Sequence, residues 1–408
     1  MGKLIRMAWR NVWRNWRRTV IAVIAIALGL AFLIFFDGMM GGASDAIYGN
    51  AVRLMGGNIQ VHAPGYREKA RRMPLLPLDN PNVVIQTAMS QPNVVSASRR
   101  LNTGGMVSSH EGTFPVAITG IEPEAEAPIS LVAENIAQGR NLTAGDQDNI
   151  LIGQALADRL DVQLGERITL IGKATHEQMR RRTMTIVGIY DLGIEEAEKG
   201  VVYISLAEAQ TLYDLPGQST EVVISLEGVG QELPVIDAMQ AALPAYEFES
   251  WDTVDPTMRQ TMEMESQIMG GFGMIILLIA GVGILNLMLM AVFERTREIG
   301  LLGAMGLKQR GIMGLFLLEG LWIGVLGSLV GCLLGGLVTG YYERVGMPWT
   351  TEEYSSLNAL MGNRIFFDLS AELLLQRALV VIIIAALASL YPAWQASRRE
   401  PAEALHYV

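Results

Sequence analysis

Apolar residues gather in four long runs, separated by stretches in which polar and apolar positions mix. Val20 to Phe36 carries no charge and continues beyond Asp37 to Met40, Ile268 to Phe293 carries none, Ile312 to Tyr342 carries only Glu319, and Ala378 to Ser397 carries none. At about 1.5 Å of rise per residue, roughly 20 residues cross a hydrocarbon core about 30 Å thick. Each run is therefore long enough to span a bilayer. None has the polar stripe with which a surface helix of a soluble protein meets water. The pattern predicts transmembrane helices at 20–40, 268–293, 311–342 and 377–397. The first run has a basic start and is followed by the small residues Gly41, Gly42, Ala43 and Ser44, as a cleaved signal would be. Its apolar stretch exceeds the usual core of about 7–15 residues, so it reads as a retained anchor.

Between the first two runs the periodicity changes. Short β-branched segments at Asn58 to His62, Phe114 to Ile121, Ile150 to Ile152, Arg167 to Ile171, Met184 to Tyr190, Val201 to Ile204 and Glu221 to Leu226 read as strands. Ala155 to Leu160, Leu206 to Tyr213 and Leu233 to Ala242 read as helices. Residues 41–267 are thus predicted to form an α+β domain of two subdomains, inserted between helices 1 and 2. Arg67 to Pro77 and Asn80 to Pro92, rich in proline and charge, read as loops. At its two ends, Gly41 to Met55 places Ile47, Ala51, Leu54 and Met55 on one helical face, and Thr257 to Gln267 carries Met258, Met262 and Glu265. These segments read as stalk helices that prolong the first two spans.

Basic residues set the orientation, because lysine and arginine stay on the cytoplasmic side. Lys3, Arg6, Arg10, Arg14, Arg17 and Arg18 precede the first span, Arg295, Arg297, Lys308 and Arg310 lie between the second and third, and Arg398 and Arg399 follow the fourth. Both termini are expected inside. Residues 294–310 and the tail 398–408 are then cytoplasmic, and 41–267 and the short loop 343–376 lie outside. Within 1–19, Trp9, Trp13 and Trp16 recur at helical spacing beside the arginines, the pattern of an amphipathic helix at the lipid headgroups.

Half of the 408 residues are apolar and only 18% are charged, which excludes an ordinary soluble chain. The net charge of −10 conceals an asymmetry: residues 41–267 hold 30 acidic against 16 basic residues, a formal −14. Nothing in this distribution points to nucleic acid. The single cysteine, Cys332, lies in the third run, so the outer domain must hold together without disulfides.

The chain has no GxxxxGK[ST] phosphate loop, no HExxH zinc pair and no GxSxG nucleophile elbow, and its histidines, His62, His110, His176 and His406, are scattered. It is expected to carry no catalytic, cofactor or metal site. Two polar side chains fall inside spans: Glu319, read as packing or hydrogen bonding within the bundle with a proton relay as the alternative, and Asn286, its expected partner. Gly320, Gly324, Gly327, Gly331 and Gly335 recur at steps of three or four and predict a face for close packing against another helix, within a bundle or across a dimer.

The most informative segment is Met290 to Lys308, MAVFERTREIGLLGAMGLK. Glu294, Arg295, Arg297 and Glu298 form a dense mixed-charge turn at the end of a span, followed by an apolar stretch, Ile299 to Leu307, too short to cross and too apolar to stand free in water. It reads as a lever that docks on a partner. This passage resembles the signature of the FtsX-like/MacB-type ABC transporter permeases, matched here by Glu294, Arg295, Thr296, Arg297, Glu298, Ile299 and Gly300, with Ala304 and Gly306 following. Tyr391 to Leu405 is similar to the family's C-terminal pattern at Pro392, Ala393, Ala396, Pro401, Glu403, Ala404 and Leu405. Gly139-Arg140, Gly153, Leu164-Gly165-Glu166, Val187 to Tyr190 and Tyr203 to Gln210 look like the family's periplasmic core domain.

The resemblance implies a non-enzymatic permease subunit in a bacterial inner membrane. A separate cytoplasmic ATPase, holding ATP and Mg, would contact residues 294–300, and a second permease subunit, the same chain or a similar one, would complete a dimer. Motion of the lever would pass through the stalks to the outer domain, and not through a pore. Gly56 to Val61, soon after Phe36-Asp37-Gly38-Met39, looks most like lipoprotein-releasing permeases, which implies lipoproteins or another envelope substrate. A peptide, drug or macrolide exporter subunit and a signalling scaffold that activates an envelope hydrolase are the alternatives. An ion-coupled secondary transporter would instead use Glu319 and need no ATPase.

Overall fold

A computed structural model describes residues 2–14, 16–173, 179–349, 360–362 and 364–398. The chain divides into two units, one formed by 1–44, 261–348 and 364–408, the other by 45–260 and 349–363. The helices along the chain are α1 (Gly2–Arg14), α2 (Trp16–Met55), α3 (Pro81–Met89), α4 (Pro123–Glu126), α5 (Leu131–Glu134), α6 (Gln154–Leu160), α7 (Glu195–Gly200), α8 (Leu206–Tyr213), α9 (Glu232–Ala242), α10 (Trp251–Val254), α11 (Pro256–Glu294), α12 (Thr296–Ala304), α13 (Gln309–Val345) and α14 (Ala371–Ser397). The strands are β1 (Ile59–His62), β2 (Val94–Ser108), β3 (Thr113–Ile121), β4 (Ile136–Gly139), β5 (Asn149–Gly153), β6 (Arg167–Lys173), β7 (Met179–Tyr190), β8 (Val201–Ser205), β9 (Glu221–Leu226), β10 (Glu247–Ser250), β11 (Met347–Pro348) and β12 (Arg364–Ile365).

In the first unit, α2, α11, α13 and α14 are each long and apolar enough to cross a membrane. A shared core of Ile26, Leu30, Leu33, Ile284, Met288, Ile312, Phe316, Ile323 and Ala385 joins them. The glycine row of α13 divides between two neighbours. A Cβ on Gly320 would strike Ser389 of α14 and one on Gly324 would lie 2.7 Å from Ala385, whereas Gly327, Gly331 and Gly335 pack on α2. At Gly331 a Cβ would meet the Leu30 side chain at 2.9 Å and the Ala27 carbonyl at 3.0 Å, so only hydrogen permits this backbone approach. The segments read from sequence as prolonging the first two spans are helical, and α2 and α11 each continue without a break through them.

The second unit is built on one sheet of ten strands in the order β10-β1-β9-β2-β3-β8-β5-β7-β4, with β6 bonded to both β2 and β7. Through β6, the strands β2-β3-β8-β5-β7-β6 close into a ring, filled by Val107, Ile118, Ile150, Ile152, Leu170, Met184, Ile186 and Ile204. The arm β10-β1-β9 leaves this ring at β2 and carries its own core of Ile59, Val61, Val84, Val222, Ile224 and Met239. The ring and the arm are two parts with their own cores within one sheet, and they share β2.

The seven strands and three helices predicted for this unit are present with small shifts at their ends, but β2, β4 and β10 were not legible. Strand β2 lacks apolar alternation because it runs through the middle of the sheet with buried polar groups, Ser98, Arg100 and Thr103, and two glycines. Gly105 is needed there, since a Cβ would press on the Ile171 carbonyl at 2.7 Å. The predicted loop at 80–92 contains α3, which starts with Pro81 at its first turn and buries Val84 and Ala88; the loop at 67–77 begins with a 3-10 turn, Arg67–Arg72. Pro401, Glu403, Ala404, Leu405, Arg399, His176 and His406 lie outside the described residues.

Candidate functional site

The segment that links α11 to α13 is built by two interruptions of helical geometry, at Arg295 and at 305–308. Arg295 takes φ −104° and ψ 19° between α11 and α12, and Thr296 caps the end of α11 by donating to the Phe293 carbonyl at 2.7 Å. Helix α12 then runs to Ala304 and ends at Gly306, whose φ of 92° turns the chain into α13. A positive φ suits glycine because no Cβ meets the carbonyl.

The kink directs Arg295 inward. Its Nη1 donates to the Glu319 carboxylate at 3.1 and 3.3 Å, and its Nη2 donates to the Asn11 carbonyl at 3.5 Å. Both Arg295 and Glu319 are buried, 6% and 4% exposed. Beside them lies a cavity of about 30 Å³, lined also by Arg18, Thr19, Ile284 and Ile323. That volume admits one water. The expected partner of Glu319, Asn286, is exposed on α11 and does not reach it. An asparagine so placed has no buried charge to satisfy, and Arg295, nine residues further along, supplies the opposite charge that a buried carboxylate requires.

Helix α1 completes the cluster. Ala8 and Val12 are buried, Trp9 meets Trp322 of α13 edge to face at 4.8 Å, and Arg14 pairs with Glu298, while Arg18 at the start of α2 pairs with Glu294. Arg6 and Arg10 and the rings of Trp13 and Trp16 remain exposed. The sequence showed the arginine and tryptophan pattern but not that α1 packs on α13.

Of the seven residues expected to meet a partner at 294–300, the structure divides the set. Arg295, Thr296, Ile299 and Gly300 are buried, while Glu294, Arg297 and Glu298 are exposed. Leu301 and Met305 are exposed too, at 49% and 76%, and with Arg297, Glu298 and Ala304 they form one helical face. This face sets charged side chains beside two apolar ones.

In the second unit the end of α2 is fastened to α5 and the turn before it. Arg53 donates to the Ile129 carbonyl at 2.8 Å and pairs with Glu134 at 2.5 Å, and Val52 and Tyr48 are buried. Gly56 and Gly57, at φ 107° and 129°, turn the chain from α2 into β1. Beneath that turn, Arg100 makes a two-pronged bond to Glu126, at 2.7 and 2.6 Å. His110, Glu111 and Asp161 also approach one another, but all three are open to solvent on loops.

Comparison with known proteins places both units. Residues 19–242 match the family model described as MacB-like periplasmic core domain, and residues 270–401 match the one described as FtsX-like permease C-terminal. The lipoprotein-releasing system transmembrane protein LolC of Xylella fastidiosa (strain Temecula1) is 25% identical over 95% of this chain and 94% of its own length. The corresponding LolE of Haemophilus influenzae is 22% identical over 98% of each. The macrolide export ATP-binding/permease protein MacB of Syntrophobacter fumaroxidans is 27% identical over 66% of this chain and 37% of its own length. Among solved structures, the extracellular domain of the ABC-type transporter YknZ covers 47% of this chain at 12% identity, with a TM-score of 0.34.

Proposed function

Because the chain belongs to the family that joins a MacB-like periplasmic core domain to an FtsX-like permease region, and is the permease component of an ABC transporter of the LolC/LolE or MacB type, we propose that it transmits the ATP-driven motion of a separate cytoplasmic ATPase to the sheet domain, which releases lipoproteins from the membrane. The carrying observation is the split of the 294–305 segment. Its root is locked into the helical unit by Arg295 and Glu319, and Glu298 pairs with Arg14 of α1, while Arg297, Leu301 and Met305 face outward. A lever needs both a fixed root and a free contact face.

In this reading α1 and α12 lie at the cytoplasmic face of an inner membrane and two permease subunits stand over two ATPases. ATP-state-dependent contacts at the outward face supply the differential energy that any such coupling requires. Both α2 and α11 run on from the spans as single helices, and in this reading they carry the displacement outward. No pore is needed.

Lipoprotein release is favoured over macrolide export by the extent of similarity: 95–98% of this chain aligns with the lipoprotein-releasing relatives, against 66% and 84% with macrolide-exporting ones. Depletion of the protein in its own bacterium tests this. Acylated proteins should accumulate in the inner membrane with macrolide sensitivity unchanged. Altered macrolide sensitivity with normal lipoprotein sorting would overturn the substrate assignment and leave the permease assignment standing.

A further inference from the structure

The four spans leave one polar side chain facing outward. Among the described residues of 20–40, 268–293, 312–342 and 378–397, Asn286 is the only asparagine, glutamine, serine, threonine or charged residue that is exposed. Others are drawn into the bundle: Asp37 pairs with Arg377, Glu319 with Arg295, and Ser328 and Ser389 donate to carbonyls of their own helices. Asn286 has no hydrogen bond to any described residue. Seven residues from the nearer end of its span at Phe293, it stands about 10 Å inside the hydrocarbon by helical rise. That depth is beyond the reach of so short a side chain to the headgroups. A carboxamide has two N–H donors and two acceptor lone pairs, and lipid tails offer partners to neither. Its bonds must come from outside the chain.

The surroundings of Asn286 narrow the choice. With Phe272, Ile275, Ile279, Val282 and Met290 it recurs at steps of three or four, forming one continuous face of α11 whose apolar members are 52–68% exposed. A Cβ on Gly283, beside the asparagine, would meet nothing within 4 Å, so the helix can be approached closely here. The glycine row of α13 is already taken up by α14 and α2 and is not open to a second subunit. Lipid would satisfy the apolar part of the α11 face, but not the carboxamide in its middle.

We propose that this face is where two copies of the chain meet, α11 against α11 about a two-fold axis, with the two Asn286 carboxamides bonded to each other. Two copies inserted in the same sense run parallel, so a residue near the axis meets its own counterpart at the same depth. A carboxamide is its own complement, since the N–H of one donates to the C=O of the other. One asparagine within an apolar seam also fixes the register, because a slip of one turn would leave both carboxamides unpaired in hydrocarbon. As α11 ends at Glu294, next to Arg295, the contact sets the spacing of the two 294–305 segments. The proposal rests on the reading that two permease subunits act together, and it names the surface at which they meet.

Disulfide crosslinking of the full-length chain in membranes tests the surface, and native mass spectrometry of the purified chain in lipid nanodiscs counts the copies. In a Cys332→Ala background, Ile279→Cys, Val282→Cys and Met290→Cys should each form a crosslinked dimer on mild oxidation, whereas Met274→Cys, exposed but off this face, should not. Asn286→Leu should raise the dissociation constant of the dimer in detergent by about three- to tenfold, and Asn286→Gln should restore part of that loss. Two copies per particle without crosslinks on this face, or with Met274→Cys crosslinking in their place, would overturn the surface and leave the two-subunit reading standing. An unchanged constant in Asn286→Leu, or ready labelling of Asn286→Cys by a water-soluble thiol reagent, would overturn the carboxamide pair in the same way. One copy per particle would overturn both the surface and the two-subunit reading.

Discussion

Arg295 and Glu319 are 24 positions apart in the chain and meet as a buried pair, the guanidinium Nη1 reaching both carboxylate oxygens at 3.1 and 3.3 Å. The same guanidinium holds the Asn11 carbonyl, so one side chain ties the root of α12 to α13 and α1 at once. This contact explains why a charge is tolerated within an apolar run: it is neutralised in place.

Removing one partner of such a pair leaves the other buried and uncompensated, at a cost of about 3–5 kcal/mol. Glu319→Ala should therefore lower the yield of folded chain and its unfolding temperature in detergent. The exchanged variant, Arg295→Glu with Glu319→Arg, should recover most of that loss but not all, because a carboxylate at 295 would face the Asn11 carbonyl. Wild-type unfolding of Glu319→Ala would show that the pair does not anchor the root.

The outward face of α12 should behave oppositely. Arg297 and Leu301 are exposed, so Arg297→Glu and Leu301→Ser should change stability by no more than about 0.5 kcal/mol. Both should nevertheless weaken co-purification of the ATPase subunit and uncouple its hydrolysis from substrate release. Retention of the ATPase by the double variant would remove this face from the docking surface.

The glycines of α13 allow a contrast on one helix. Gly331→Ala places a methyl group against Leu30 and the Ala27 carbonyl at about 3 Å, and overpacking of this kind costs about 1–3 kcal/mol. Gly314 has nothing within 4 Å, so Gly314→Ala should be neutral or stabilise the helix by up to about 1 kcal/mol. Thermal unfolding in the same detergent checks both, and equal effects at the two positions would contradict the packing described.

Much of the helical unit was legible because crossing a bilayer leaves a signal no other constraint imitates, and the four runs carry it in full. The small residues on α13 were legible as a packing face for the same reason, but which helices they meet was not, since the spacing is identical for Gly324 on α14 and Gly327 on α2. At 294–310, composition marked the segment, yet it could not tell Arg295 from Arg297. Two charges two positions apart look alike in sequence, and only the break at Arg295 turns one inward. In the sheet, β2 was missed because its buried polar residues are satisfied by partners far away in the chain, as Arg100 is by Glu126. Isolated histidines also gave no hint that His62 stands among carboxylates from two other strands, for that neighbourhood arises only from strand register.

Asp146 offers a pH-dependent test of the sheet's loops. Its carboxylate accepts from both Nη atoms of Arg140 at 2.7 and 2.6 Å, from the Thr143 N–H at 2.8 Å and from Asn149 at 2.9 Å. The Arg140 bonds, with those of Thr143 and Asn149 and against a burial that opposes them, hold this carboxyl well below its ordinary 3.8. A folded value below the unfolded one means that the stabilisation is present above 3.8 and is lost as pH falls through the folded value. Asp146→Asn keeps the shape but not the charge, and charge-assisted bonds contribute about 1.5–3 kcal/mol. The variant should therefore be less stable than wild type in urea unfolding at about pH 7, with the difference narrowing as the pH is taken below about 3. A difference that stays constant with pH would mean that the loop relies on the shape of Asp146 and not on its charge.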